Sequence, residues 1–489
     1  MPKRLLAFDF GASSGRAILA VYDGGTVKME EIHRFSNDPV FVNGVFTWDV
    51  LRLLFEIKTG ILKAKAAGGF DSIGIDTRGV DFGLIDKDGY LCENPVHYRD
   101  TRTRGMIEES EKYISRAELY DRTGIQFMEF NTVFQLLSLK LKRPALLERA
   151  DALLFMPDLL AYFLTGKRVC EYSIATTSQL IDIHTGDWSD EVISALGLPR
   201  RLLQPIVPTG TVIGKLSPEI CEELGVPPAD VIAVAGHDTQ SAITAVPTAE
   251  KDFVFLSCGT WSLFGTEPGA PIVNADSRRL NFTNEGGYGG AVGFLKNICG
   301  LWLIQESRRQ WKREGSEYSY AELERLALSS EPFKCFIDPD DPAFSTPGDL
   351  PRRIADFCRR TGQPVPATVG ETMRCVYESL ALKYRNVLEG IETCTGKTYP
   401  VIHVLGGGTK DRLLCDMTAA ATGRTVLAGP IEATVWGNLV LQLIAAGELP
   451  DIRAARTLIA HSETPLRYEP KDADVWDAAY GRFTAILNV

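Results

Sequence analysis

The run Asp9-Phe10-Gly11-Ala12-Ser13-Ser14-Gly15-Arg16 sets a carboxylate ahead of a turn built from glycines and hydroxyls. Glycines let backbone amides come close to phosphate oxygens, and serine hydroxyls add further donors. Asp9 could then hold a hydrated Mg2+ against those phosphates, because that ion keeps several waters and takes only one or two carboxylates. A plain Gly-Ser hairpin with an acid before it fits the same residues. A second constellation, Gly236-His237-Asp238-Thr239, follows the apolar run Val231–Ala235. Polar groups at the carboxyl end of a buried strand are well placed for a ligand, and Asp238 could accept the proton of a substrate hydroxyl. The alternative is a helix cap, since Asp or Thr just before the segment starting at Ser241 would cap a helix. Gly406-Gly407-Gly408, between a strand and a helix, could seat a ligand at a helix amino end, or be only a tight turn. Asn281–Gly287 with Lys296 and Asn297 offers amides and a carboxylate to a polyhydroxylated ligand; a polar surface loop has the same composition. GxxxxGK[ST], GxSxG and HExxH are absent, which excludes P-loop NTPases, nucleophile-elbow hydrolases and zincins in their usual forms.

These groups need elements to position them. Leu5–Phe10 and Arg16–Tyr22 read as two strands around the first turn, the second too short for a helix before Asp23-Gly24-Gly25. Asp49 to Ala67 reads as a helix with Leu53, Ile57, Ile61 and Leu62 on one face, and Ser72–Thr77 with Val80–Ile85 as strand-turn-strand. Phe253–Leu256, a Ser-Cys-Gly-Thr turn and Trp261–Gly265 repeat the opening pattern, a faint internal duplication. Met373, Val376, Leu380, Tyr384, Val387 and Ile391 mark a long amphipathic helix, which leads to the strand Val401–Leu405. Strands alternating with helices imply α/β layers, and 489 residues exceed one domain, with a polar boundary at 247–252.

A net charge of −11 leaves no basic field for nucleic acid or an anionic membrane, so a phosphorylated ligand must be bound locally. No uncharged apolar stretch is long enough for a membrane span and the amino terminus has no signal-peptide core, so a cytoplasmic protein is expected. The ten cysteines form no CxxC and read as reduced thiols, although Cys358 and Cys375 could meet in space.

In order, DFGASSGR, SIGIDTRGVDF, GHDT, SCGTWSLFG, NFTNEGG, LKNICGLWLIQE and LGGGTKDRLL resemble the FGGY carbohydrate kinases, from about Leu5 to Gly447. FDFGASSGR, YRDTRT, NEGG, LKNICGLWLIQE and AGPIEATVWGN are most similar to the branch that phosphorylates L-rhamnulose. The resemblance implies two actin-like, ribonuclease H-like lobes with an active-site cleft. Residues 1–246 would carry the sugar and the base, and residues 252–489 most of the ATP. It implies Mg2+-dependent transfer of the ATP γ-phosphoryl to a ketose hydroxyl, O1 of L-rhamnulose, with Asp238 as base. By position it assigns Gly79, His237, Thr239 and Asn297 to the sugar. Ala12, Ser13, Ser14, Gly15, Arg16, Thr260, Gln305 and Gly407 fall to ATP, and Asp9 to the metal. A kinase of another ketose or polyol (L-fuculose, xylulose, glycerol) is the alternative. An actin-like ATP-binding protein without kinase activity would have no need of Asp238.

Two positions depart from the family pattern. Arg78 stands where the branch has Trp, bringing up to five donors near the sugar unless it turns away to pair with Asp76 or Asp81. Asp411 puts a carboxylate where an amide is usual, near the expected adenosine site.

Overall fold

A computed structural model describes residues 2–11 and 14–487. They divide into two compact units. The first comprises residues 1–249, 267–294 and 433–462; the second comprises residues 250–266, 295–432 and 463–489.

The first unit is built on strands β1 (Lys3–Phe10), β2 (Ser14–Tyr22), β3 (Val27–Ser36), β4 (Ser72–Thr77), β5 (Thr211–Lys215) and β6 (Asp230–Ala233), in the order β5-β6-β4-β1-β2-β3. Leu5, Leu6, Ala7 and Phe8 of β1 have no exposed surface, as an unbroken apolar run in a central strand requires. β1 and β2 form the expected hairpin, while β4 and then β6 follow in parallel. The second unit holds β7 (Val254–Cys258), β8 (Trp261–Thr266), β9 (Val292–Cys299), β10 (Val401–Leu405), β11 (Thr425–Ala428) and β12 (Leu466–Tyr468). These six are neighbours in a seven-stranded sheet, in the order β9-β8-β7-β10-β11-β12. In both sheets an antiparallel hairpin is followed by two parallel steps and a final antiparallel strand. The faint repeat of two hairpins is thus part of a repeated five-strand pattern.

The helix Val50–Ala66 is capped by Asp49, which accepts from the Arg52 amide at 3.2 Å. Leu53, Ile57 and Ile61 are buried, but Leu62 is 45% exposed because one further residue rotates it by about 100° off the apolar stripe. Val80–Ile85 does not fold back on β4. Val80 has φ +67°, its carbonyl is taken by Thr132 Oγ1 at 2.8 Å and Gln135 Nε2 at 3.2 Å, and Phe82–Asp86 pairs antiparallel with Ala150–Phe155.

Beneath the first sheet runs the helix Ala433–Ala445, whose Asn438 and Gln442 lie one turn apart. Gln442 Nε2 donates to Asn438 Oδ1 at 2.8 Å and to the Leu6 carbonyl at 3.3 Å, while Ser72 Oγ donates to Gln442 Oε1 at 2.6 Å. Gly74 makes room for this polar row, since a Cβ there would fall 2.3 Å from Asn438 Oδ1. In the second unit the helix Val369–Thr395 buries all six residues of the predicted stripe, and Tyr384 Oη lies 2.7 Å from Ser262 Oγ. The Sγ atoms of Cys335, Cys358 and Cys375 lie within 4.8 Å of one another. Among the described residues no helix is long and apolar enough to cross a membrane.

Candidate active site

Three acids gather at the carboxyl ends of adjacent parallel strands in the first unit. Asp9 near the end of β1 faces Asp76 in β4 in register, and a further bridge pairs Thr77 with His237, just after β6. Asp238 follows as the first residue of the helix Asp238–Thr244. The cap position falls on His237, whose side chain makes no capping bond, so the helix-cap reading of Asp238 does not hold. Asp238 instead keeps a side chain 30% exposed and accepts from Thr239 Oγ1 at 3.3 Å.

The electrostatics follow from this crowding. Burial raises the pKa of Asp238 and the charge of Asp9 adds to the rise, while His237 and Arg78 oppose it. Asp76, with no exposed surface, is raised further by burial and by Asp9, against a 2.6 Å bond from Asn438 Nδ2 to its Oδ2. Its Oδ1 is buried with no hydrogen-bond partner. Asp9 has Arg16 as counter-ion, with Nε and Nη2 at 3.0 and 2.8 Å from Oδ2. Three crowded acids, of which only Asp9 is directly paired with a guanidinium among the described residues, and an orphaned carboxylate oxygen suit the addition of a hydrated divalent cation.

The loop bearing Asp238 hangs on Glu171, a residue that no local signal in the sequence marks. Its carboxylate accepts from the amides of Ser173 at 2.9 Å, Ile174 at 3.0 Å and Gly236 at 3.0 Å. Ser173 Oγ at 2.6 Å and Thr209 Oγ1 complete the set. His237 is held at its own amide by Ser173 Oγ, at 3.2 Å. Glu285, from the NEGG segment, brings Oε2 to 3.2 Å from His237 Nδ1.

Arg78 neither pairs directly with Asp76 nor with Asp81. Its guanidinium lies over the Trp48 ring, 4.1 Å from the centroid, and Nη2 donates to the Phe10 carbonyl at 3.1 Å and to that of Gly11. Asn37 Nδ2 reaches the same Gly11 carbonyl at 2.8 Å, so the entry to the first turn is held from two sides. Trp48 Nε1 in turn donates to Asp81 at 2.7 Å; burial raises Asp81 to about 7, although Arg78 and that bond pull it down. Gly79 sits against Thr177, whose Oγ1 accepts from the Val80 amide at 3.1 Å.

Of the turn residues assigned to ATP, Ala12 and Ser13 lie outside the described residues. Ser14, Gly15 and Arg16 open β2, and a Cβ at Gly15 would lie 2.3 Å from the Phe35 ring, so close packing already requires glycine there. In the second unit Thr260 Oγ1 donates to Gln305 Oε1 at 3.3 Å. The amides of Leu301 and Trp302 bond the carbonyls of Gly259 and Thr260 at 3.0 and 3.1 Å, tying the second hairpin turn to the helix Trp302–Arg313. Asn297 is half-buried on β9. Gly408 packs on Cys258, since its Cβ would meet Sγ at 2.3 Å, whereas a Cβ at Gly407 would meet nothing. Asp411 caps the helix Arg412–Thr422, accepting from the Leu414 amide at 3.0 Å and from Tyr377 Oη at 3.1 Å. That role accounts for its carboxylate without a nucleotide.

Comparison with known proteins bears on the family and the fold. Residues 4–245 match the sequence profile described as FGGY family of carbohydrate kinases, N-terminal domain, and residues 254–446 match that of the C-terminal domain. A rhamnulokinase of Bacteroides thetaiotaomicron is 46% identical over 484 residues, covering 99% of each chain. One of Oceanobacillus iheyensis is 43% identical, over 94% of this chain and 96% of its own. Among solved structures, a ligand-bound xylulose kinase of Lactobacillus acidophilus superposes with a TM-score of 0.83 at 15% identity, over 99% of this chain and 98% of that one. A Plasmodium falciparum glycerol kinase with ADP gives 0.77 at 14% identity, over 100% and 97%. At such identities the structures speak for the fold alone.

Proposed function

The chain belongs to the FGGY family of carbohydrate kinases and is an ATP-dependent sugar kinase; on that premise we propose that its acceptor is L-rhamnulose, phosphorylated at O1 to L-rhamnulose 1-phosphate. The observation that carries this reading is 46% identity to a rhamnulokinase across 99% of both chains. In the reaction Asp238 takes the proton of the attacking hydroxyl. Such a base contributes roughly 10²–10⁴ in rate, and burial holds this one nearer the working range of a base than a free carboxylate. His237, Thr239, Gly79 and Asn297 would position the sugar.

The turn Ala12–Arg16 would hold the transferred phosphates, with Thr260, Gln305 and Gly407 supporting the rest of the nucleotide. Asp9, with the uncompensated charge of its acidic neighbours, would hold Mg2+; when bound, that ion offsets charge on the phosphoryl oxygens. Closure of two lobes around the ligands would exclude water and limit wasteful ATP hydrolysis.

A coupled ADP-release assay over L-rhamnulose, L-fuculose, L-xylulose, D-xylulose and glycerol tests the proposal. L-Rhamnulose should give the highest kcat/KM by at least tenfold, and a higher value for any other acceptor would overturn the assignment.

A further inference from the structure

Glu285, the acid of the Asn281–Gly287 segment, is turned toward the residue beside the base. Its Oε2 stands 3.2 Å from His237 Nδ1, and His237 Nε2 stands 3.6 Å from Asp238 Oδ1. The side chains of Glu285 and His237 are only 6% and 9% exposed. Neither Glu285 Oε2 nor His237 Nδ1 has another hydrogen-bond partner among the described residues. Both ends of the row are fixed by the backbone. Gly286, next to Glu285, donates its amide to Thr176 Oγ1 at 3.0 Å, and a Cβ on it would strike Tyr172 at 2.2 Å. His237 is held through the Ser173 and Glu171 bonds described above.

We propose that Glu285 is a positioning residue that keeps His237 a cation, so that His237 in turn keeps Asp238 ionised and able to accept a proton. A neutral imidazole in this buried place would be the default, because burial opposes its charge; Glu285, with Asp238 and Glu171, outweighs burial and raises the pKa of His237. Of the three, Glu171 already has its oxygens occupied by five donors, leaving Glu285 as the anion free to face the ring. The charged groups that act on Asp238 are His237, Asp9, Arg78 and Asp76. Without the imidazolium, Arg78 and the bond from the Thr239 backbone are left to oppose burial and the neighbouring acids. A carboxyl pushed further toward its protonated form is less able to take the sugar's proton.

The inference rests on Asp238 being the base, and the test separates the two. kcat/KM for the sugar is measured from pH 5.5 to 9 for wild type, Glu285→Gln, Glu285→Asp and Asp238→Asn, with ATP affinity measured alongside. Glu285→Gln should move the acid limb up by about one pH unit or more. It should therefore lose tenfold or more at pH 6 and return to within about threefold of wild type near pH 9. Glu285→Asp, which keeps the anion, should restore most of the loss at pH 6. A uniform loss at every pH, or a profile that coincides with wild type, would overturn the role of Glu285. Should Glu285→Gln not fold, an acid limb for Glu285→Asp nearer wild type than that of His237→Gln would support the row, and coincidence of the two variants would overturn it. If Asp238→Asn itself turned over at a rate near wild type, the base assignment would be what fails.

Discussion

Gly437→Ala adds one methyl group at a point where two backbones touch. Gly437 lies on the helix Ala433–Ala445, which packs on the helix Asp238–Thr244 that begins with the proposed base. A Cβ at 437 would lie 1.8 Å from the Ser241 carbonyl oxygen and 2.4 Å from its carbon, where real contacts stay beyond 3.0 Å. Both obstacles are main-chain atoms, so no rotamer change relieves them and the helices must part by about 1.2 Å, the shortfall between the 1.8 and 3.0 Å contacts. Overpacking of this kind costs about 3 kcal/mol, the upper part of the usual range, because the opposing atoms are backbone. Asp238 stands one turn from Ser241, so a displacement near 1 Å at the base is expected to lower turnover about 100-fold. Urea unfolding followed by tryptophan fluorescence reads the first effect, and coupled ADP release at saturating ATP and sugar reads the second. Gly481→Ala is the control: its Cβ would meet nothing, in the helix Ala473–Ile486, so a gain of about 0.5–1 kcal/mol is expected there. A Gly437→Ala protein within about 0.5 kcal/mol of wild type and within twofold in turnover would refute this account of how the base helix is seated.

Arg78→Trp removes two bonds to the carbonyls before the first turn and the stacking on Trp48; KM for ATP should rise roughly tenfold while relative kcat/KM among ketoses changes less than twofold, and the opposite pattern would put Arg78 on the sugar. Asp81 is raised from 3.8 to about 7 by burial, so the stability it contributes is complete below about pH 4 and is lost as pH rises through about 7. Asp81→Asn keeps an acceptor for Trp48, and its urea midpoint should therefore fall less between pH 5 and 7.5 than that of wild type; equal falls would contradict the burial argument.

What the sequence made legible was local. The Gly-Ser turn between two strands, the apolar run before Gly236 and the stripe on the helix from Val369 each depend on neighbours a few residues apart, where periodicity and turn chemistry decide. The boundary between a base and a cap at Asp238 was not legible, since both readings need an acid ahead of a helix and only the observed helix start on Asp238 separates them. Glu171 and Asn438 support the site from 65 or more residues away, through bonds to Gly236 and Asp76, and nothing in their own surroundings announces a partner; Glu285 lay in a segment marked only for a ligand, and its charge beside His237 was not legible there. The sheet partner of Val80–Ile85 was not legible for the same reason. The strand itself was legible, but its partner was not: Thr132 and Gln135 take the carbonyl at the turn, and the strand pairs with Ala150–Phe155.

The central claim is that Asp238 accepts the proton of a sugar hydroxyl in an ATP-dependent kinase. Asp238→Asn keeps the shape of the side chain and removes its basicity, so the most direct measurement is its turnover of L-rhamnulose beside its affinity for ATP. A loss of roughly 10²–10⁴ in turnover with nucleotide binding nearly unchanged is the predicted result. Retention of more than about a third of wild-type turnover would contradict it, because no general base contributes so little.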